Sequence, residues 1–223
     1  MSARADILAA TRRSLGVTGA ERTRAAAVSE RLERAPQGVV PRRGRLEGQA
    51  LLDLFVEEAR RSLATVAVVE SAADVPTEVA RHLRDNNWPA TLRMGEDLRL
   101  AAMPWQDTAL EVSKGPSAGG DLNGVSHAVA AVAETGTLVL VSGRENPTTL
   151  NFLPDNHVVV VNARDVAGDL ETVWARLRER FGKGALPRAT NLVTGPSRSG
   201  DIEQTLLLGA HGPRSLHVVV VSD

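Results

Sequence analysis

Residues 194–221, TGPSRSGDIEQTLLLGAHGPRSLHVVVV, decide the fold class. The run closes on LHVVVV at 216–221, whose four consecutive valines must be buried on both faces. Strands of that kind belong to parallel sheets covered by helices. Ahead of it, a strand over 191–194 ends at Thr194, and Gly195 with Pro196 forces a bend. Ser199 or Gly200 then caps an expected helix over 200–208, with Asp201 and Glu203 in its first turn. Strand, helix and strand in that order form a last βαβ unit.

Two further strands of the same type lie upstream, TVAVV at 65–69 and HVVVV at 157–161. Between them, 76–83 is helical and opens with a proline, while 91–100 and 109–113 read as short strands. The stretch 115–124, GPSAGGDLNG, is a glycine-rich loop. In 125–143, VSHAVAAVAETGTLVLVSG, a short helix of small residues gives way at Thr135-Gly136 to a strand. Residues 146–153 form a loop or single helical turn, and 170–181 is an amphipathic helix with Leu170, Val173, Trp174, Leu177 and Phe181 on one face. The expected fold is therefore α/β, a three-layer open sheet with mainly parallel strands.

An N-terminal helical arm precedes it. Ile7, Leu8, Leu15, Val28 and Leu32 give two thin apolar faces over 4–34, broken by a turn at 16–19. Thin faces rarely pack a core alone, so the arm is expected to lie on its own domain or to join subunits into a homo-oligomer. The linker APQGVVPRRGRLEG occupies 35–48, which sets an arm and linker at 1–45 and the α/β domain at 46–223.

Composition narrows the function classes. The 223 residues contain no cysteine, so neither a disulfide framework nor a Cys-ligated cluster can be built from this chain. The five histidines show no metal-ligand spacing, and no metal site is expected. The first 63 residues hold 12 Arg against 8 Asp and Glu, but acids interrupt the arginines and no aromatic residue precedes Phe55 among them. That pattern is a solvated helical surface and not a nucleic-acid arm. No apolar run approaches a membrane span, and the chain reads as a soluble cytoplasmic protein.

Ligands in open parallel sheets bind beyond the carboxyl ends of strands, beside helix N-termini. That rule places a site on the loops of the 194–221 segment, where Gly195, Pro196, Ser197, Arg198, Asp201, Glu203, Gly212 and Arg214 are candidates for holding a small anion. The same turn also reads as a well-capped helix start. His211, on a loop, suits an acid, a base or a hydrogen-bonded structural role. Glu134, with Thr135, Gly136 and Thr137 on a tight turn, is the candidate reactive carboxylate, or else an acceptor for loop amides. His157 and His217 stand at strand starts and read as structural.

AETGTLVL at 133–140, LPDNHVVVV at 153–161 and GPSRSGDIEQTLLLGAHGPRSLHVVVV at 195–221 resemble the lactate utilization protein C family, the LUD domain. The resemblance covers roughly 46–223. It implies the fold shared by glucosamine-6-phosphate deaminases, ribose-5-phosphate isomerases and CoA transferases. It also implies a role beside two iron–sulfur proteins in oxidising L-lactate to pyruvate, which suits a chain without cysteines. CoA transferases use a glutamate in a Glu-Asn-Gly turn, and this chain has Glu134-Thr135-Gly136.

The expected function is an accessory subunit of an L-lactate oxidation system. It would bind a small anionic ligand or a partner at strand C-terminal loops, with no cofactor of its own and iron–sulfur clusters only in its partners. The alternative is a stand-alone enzyme of acyl, CoA or sugar-phosphate chemistry using Glu134.

Overall fold

Twelve strands and six helices follow one another in the computed structural model, which describes residues 2–199 and 207–223. The helices are α1 (Ala3–Leu15), α2 (Arg22–Arg34), α3 (Gly48–Arg61), α4 (Val75–Asp85), α5 (Leu98–Ala101) and α6 (Leu170–Phe181). The strands begin with β1 (Thr65–Val69), β2 (Thr91–Met94), β3 (Glu111–Lys114), β4 (Asn123–His127), β5 (Ala130–Val132) and β6 (Thr137–Val141). They continue with β7 (Asn156–Asn162), β8 (Val166–Ala167), β9 (Thr190–Val193), β10 (Arg198–Ser199), β11 (Leu207–Leu208) and β12 (Ser215–Val221).

The central layer is a six-stranded, all-parallel sheet in the order β1-β12-β7-β4-β2-β3. Its valines alternate between two cores, as the period-2 geometry of a strand requires. Val158, Val160, Val219 and Val221 pack with Val75, Val79 and Leu83 of α4 and with Leu100. On the opposite face Val159, Val161, Val218 and Val220 meet Phe55 and Ala59 of α3 and the residues Ala131, Ala133, Leu138 and Leu140. These last belong to a four-stranded sheet, β8-β5-β6-β9, whose far face carries α6 through Val173 and Leu177. The α/β class and the mainly parallel central sheet expected from the sequence are both present.

Several local expectations change. Residues 125–134 are not helical: they lie in β4, β5 and the turn that follows. Ala128, Ala131 and Ala133 are buried in the interface between the two sheets, where small side chains let the layers approach, and that packing overrides their helical propensity. The expected strand 91–100 is β2 followed by α5, whose N-cap Asp97 accepts from Arg99 N. Strand β9 pairs antiparallel with β6 and so belongs to the smaller sheet, which removes the expected βαβ unit joining it to β12. Leu207 and Leu208, the end of the expected helix 200–208, pair antiparallel with Arg198 and Ser199. The rest of that helix, with Asp201 and Glu203, falls outside the described residues.

Two compact units divide the chain, 1–39 and 40–223. In the first, Ser2 caps α1, Gly16 ends it in the left-handed conformation, and Glu21 accepts from Thr18 N and Gly19 N in the connection to α2. Neither helix has a buried residue, in keeping with the thin apolar faces. In the second, Gly44 lies against Gly168, so the turn at Arg42–Arg45 packs on the loop leading into α6. No helix among the described residues is long and apolar enough to cross a membrane.

Candidate functional site

A cleft of about 290 Å³ opens over the amino ends of β7 and β12, between the loop that leaves β9 and the loop that precedes β12. Ser197 N donates to Pro213 O at 2.8 Å, Gly209 N donates to Ser197 O at 2.9 Å, and His211 N donates to Ser197 Oγ at 3.4 Å. These bonds lace the two loops together. Gly195 has φ 74°, and a Cβ there would lie 1.9 Å from the Ser62 carbonyl oxygen, so only glycine lets the first loop sit against the end of α3.

The floor of the cleft is a buried polar group. His157, 1% exposed, places Nε2 3.0 Å from Ser126 Oγ, and Ser126 Oγ lies 3.4 Å from Asn151 Oδ1. Ser126 Oγ donates to Asn151 Oδ1, so His157 Nε2 carries the ring proton and donates to Ser126 Oγ, which leaves Nδ1 as an acceptor. Burial pushes the His157 imidazole down to about 4, so the ring is neutral near pH 7. Among the described residues His157 Nδ1 and Asn151 Nδ2 have no hydrogen-bond partner, although both residues line the cleft. An unsatisfied buried polar atom costs about 1–3 kcal/mol, and the cost is removed when a ligand supplies the partner.

Arg198 and His211 complete the lining, and among the described residues it contains no Asp or Glu. The Arg198 cation thus lines the same cavity as the residues that carry an unpartnered imidazole nitrogen and an unpartnered amide N–H₂. The arrangement favours a small anion.

The cleft brings together Gly195, Pro196, Ser197, Arg198, His211 and Gly212 from the sequence-based candidates. It lies at the amino edge of the parallel sheet, not beyond the strand carboxyl ends, because β9 runs antiparallel within the other sheet and delivers its loop to that edge. Glu134 is placed elsewhere. Its amide donates to Gly168 O and its Oε1 accepts from Leu170 N at 3.3 Å, so the carboxylate sits at the start of α6. Thr135, Thr137 and Thr194 form a hydroxyl chain with successive 2.7 Å contacts, linking that turn to the cleft mouth. Gly136 packs on α3, and Arg214 lies 3.9 Å from Asp155 and does not line the cleft.

Asn151, Ser126 and His157 were not legible as site residues. A buried histidine opens both HVVVV and LHVVVV, and only the structure separates them. His217 has partners on both ring nitrogens, Thr65 and Glu78, whereas His157 keeps one free.

This geometry defines an α/β protein with a parallel central sheet, a second sheet on one face and a cleft lined by Arg198, His157 and Asn151. Residues 123–221 match the LUD domain, and the cleft lies wholly inside that segment. The lactate utilization protein C of Geobacillus thermodenitrificans is 38% identical over 101 residues, covering 45% of this chain and 42% of that protein. That of Bacillus licheniformis is 30% identical over 129 residues, covering 53% and 54%. The chain thus spans about half the length of the curated relatives it matches. A DUF162 family protein from Deinococcus radiodurans shares the fold, with a TM-score of 0.59 and 22% identity over 79% of this chain and 99% of that one.

Proposed function

We propose that this chain serves lactate utilization as an accessory subunit of an L-lactate-oxidising system, holding a small anion in the cleft and working beside iron–sulfur proteins. One observation carries the reading. Every residue lining the cleft falls within 123–221, the segment that matches the LUD domain. A chain without cysteine supplies no thiolate for a cluster, so the redox centres belong to its partners. The Arg198 cation and the unpartnered Asn151 N–H₂ suit a carboxylate, and pyruvate serves as the probe.

The test combines growth with binding. A strain lacking the chain is expected to fail on L-lactate as sole carbon source while growing normally on glucose. The wild-type gene restores growth and Arg198→Ala does not. In the purified full chain, Arg198→Ala weakens pyruvate binding about ten-fold, equivalent to about 1.4 kcal/mol, with an unchanged melting temperature because Arg198 is exposed. Glu134→Gln leaves pyruvate binding unchanged. Normal growth of the deleted strain on L-lactate would overturn the reading. Turnover of an acyl, CoA or sugar-phosphate substrate by the isolated chain, lost on Glu134→Gln, would favour the stand-alone enzyme instead.

A further inference from the structure

The central sheet ends in two edge strands that are built differently. On one side stands β3, EVSK, whose exposed Glu111 and Lys114 guard it against pairing with another chain. On the other stands β1, TVAVV, which carries no charge and no proline. Among the described residues β1 is paired on one side only, with β12. Val68 shows the consequence. It is 52% exposed, while Val220, its neighbour in register on β12, is 0% exposed. An uncharged edge with an exposed valine is a template for a further strand.

The backbone at that edge is open where Val68 lies. Val69 O accepts from Ser222 N at 3.0 Å, so Val69 points its backbone groups to the β12 side, and the alternate residues Val66 and Val68 point theirs outward. Arg60 donates to Val66 O at 3.3 Å and covers that carbonyl. The N–H and C=O of Val68 face a groove between the edge and α3, lined on the helix side by Leu52, Asp53, Val56, Glu57 and Arg60.

The charges of the groove stand in an order that a second copy of the groove complements. Along one stripe of α3, Asp53 lies about one turn before Val56 and Arg60 about one turn after it. Glu57, between them, is already paired with Arg61 at 2.8 Å. A two-fold axis through Val68 sets β1 antiparallel to its copy, so that the two Val68 residues exchange N–H···O bonds. The same axis reverses α3 and lays the Asp53 end of each groove against the Arg60 end of the other. The half-buried Leu52 and Val56 gain apolar cover along with Val68.

We propose that β1 and the groove beside it form a dimer interface, in which a second copy of this chain adds its β1 antiparallel and the two central sheets become one. Asp53 of each copy then pairs with Arg60 of the other. The interface belongs to the α/β domain and not to the N-terminal arm, and it is independent of what the cleft binds.

Sedimentation equilibrium of the full chain tests it. The wild type is expected at twice the mass of the chain. Val68→Lys, which gives this edge the charge that Lys114 gives the other, is expected at the mass of a single chain with an unchanged circular dichroism spectrum, because Val68 is exposed. Asp53→Arg and Arg60→Asp should each weaken self-association about ten-fold. An equimolar mixture of these two variants should recover wild-type association, since the mixed dimer restores both ion pairs. A wild type that stays monomeric at its highest soluble concentration would overturn the proposal. A dimer that persists in Val68→Lys would overturn it as well, and would move the interface to the arm. A mixture that associates no better than either variant alone would overturn the antiparallel placement of α3.

Discussion

Gly136→Ala is expected to lower the unfolding free energy by about 2–5 kcal/mol. Two costs coincide at this position. Its φ is 64°, in the left-handed region where a side chain costs about 1 kcal/mol or more. A Cβ would also lie 2.3 Å from Ala59 N and 2.5 Å from Glu58 C, both backbone atoms of α3, which cannot rotate aside. Relief requires α3 to lift from the sheet, and α3 contributes Phe55 and Ala59 to the core between the layers. Overpacking of that kind costs about 1–3 kcal/mol.

Gly119→Ala is the control, because Gly119 also has a positive φ, 95°, but its Cβ would meet nothing within 4 Å. Urea unfolding should show a modest shift of midpoint for Gly119→Ala and a several-fold larger one for Gly136→Ala, with m unchanged in both. Equal shifts would mean that the turn does not bear on α3 as described.

The same turn shows what the sequence can and cannot reveal. That Thr135-Gly136 ends one element and begins a strand was legible from the glycine and the alternation after it. What precedes it was not, because alanines at 128, 130, 131 and 133 carry a helical propensity of local origin, while the tight spacing between two sheets is a property of residues far apart in the chain. The valine strands and helix 170–181 were legible because burial on two faces, or on one stripe, leaves a periodic mark in the sequence itself. The sheet to which β9 belongs leaves no such mark, so the sequence reading placed these loops at the carboxyl edge of the sheet and the structure places them at the amino edge. His157 escaped notice for a related reason. A histidine opening a valine strand looks the same whether its second nitrogen finds a partner, as in His217, or faces a cavity.

Those two histidines contribute to the acid response, alongside His82 and His127, which burial also pushes down. Burial pushes both His157 and His217 down to about 4. For His217 the neighbouring His82 ring, stacked at 3.8 Å, and Arg81 act in the same direction. Glu78, 3.2 Å away, opposes them without prevailing. In the unfolded chain each would titrate at about 6.5. The folded state therefore binds fewer protons between pH 6.5 and 4. The stability that neutral imidazoles provide is complete above about pH 6.5 and is lost as pH falls through that window.

Each histidine contributes a slope of about 1.4 kcal/mol per pH unit, and two together about 3 kcal/mol per unit. Against the 5–15 kcal/mol typical of a whole domain, a fall from pH 6.5 to 5 removes a large fraction. Urea midpoints at pH 7.5, 6.0 and 5.0 should decline steeply across the last two. His217→Gln, which lowers stability at pH 7.5, should also flatten the decline by about 1.4 kcal/mol per pH unit, since one proton fewer is taken up on unfolding. A variant whose slope equals that of the wild type would show that His217 is protonated in the fold. In that case its contact with Glu78 is an ion pair strong enough to outweigh burial.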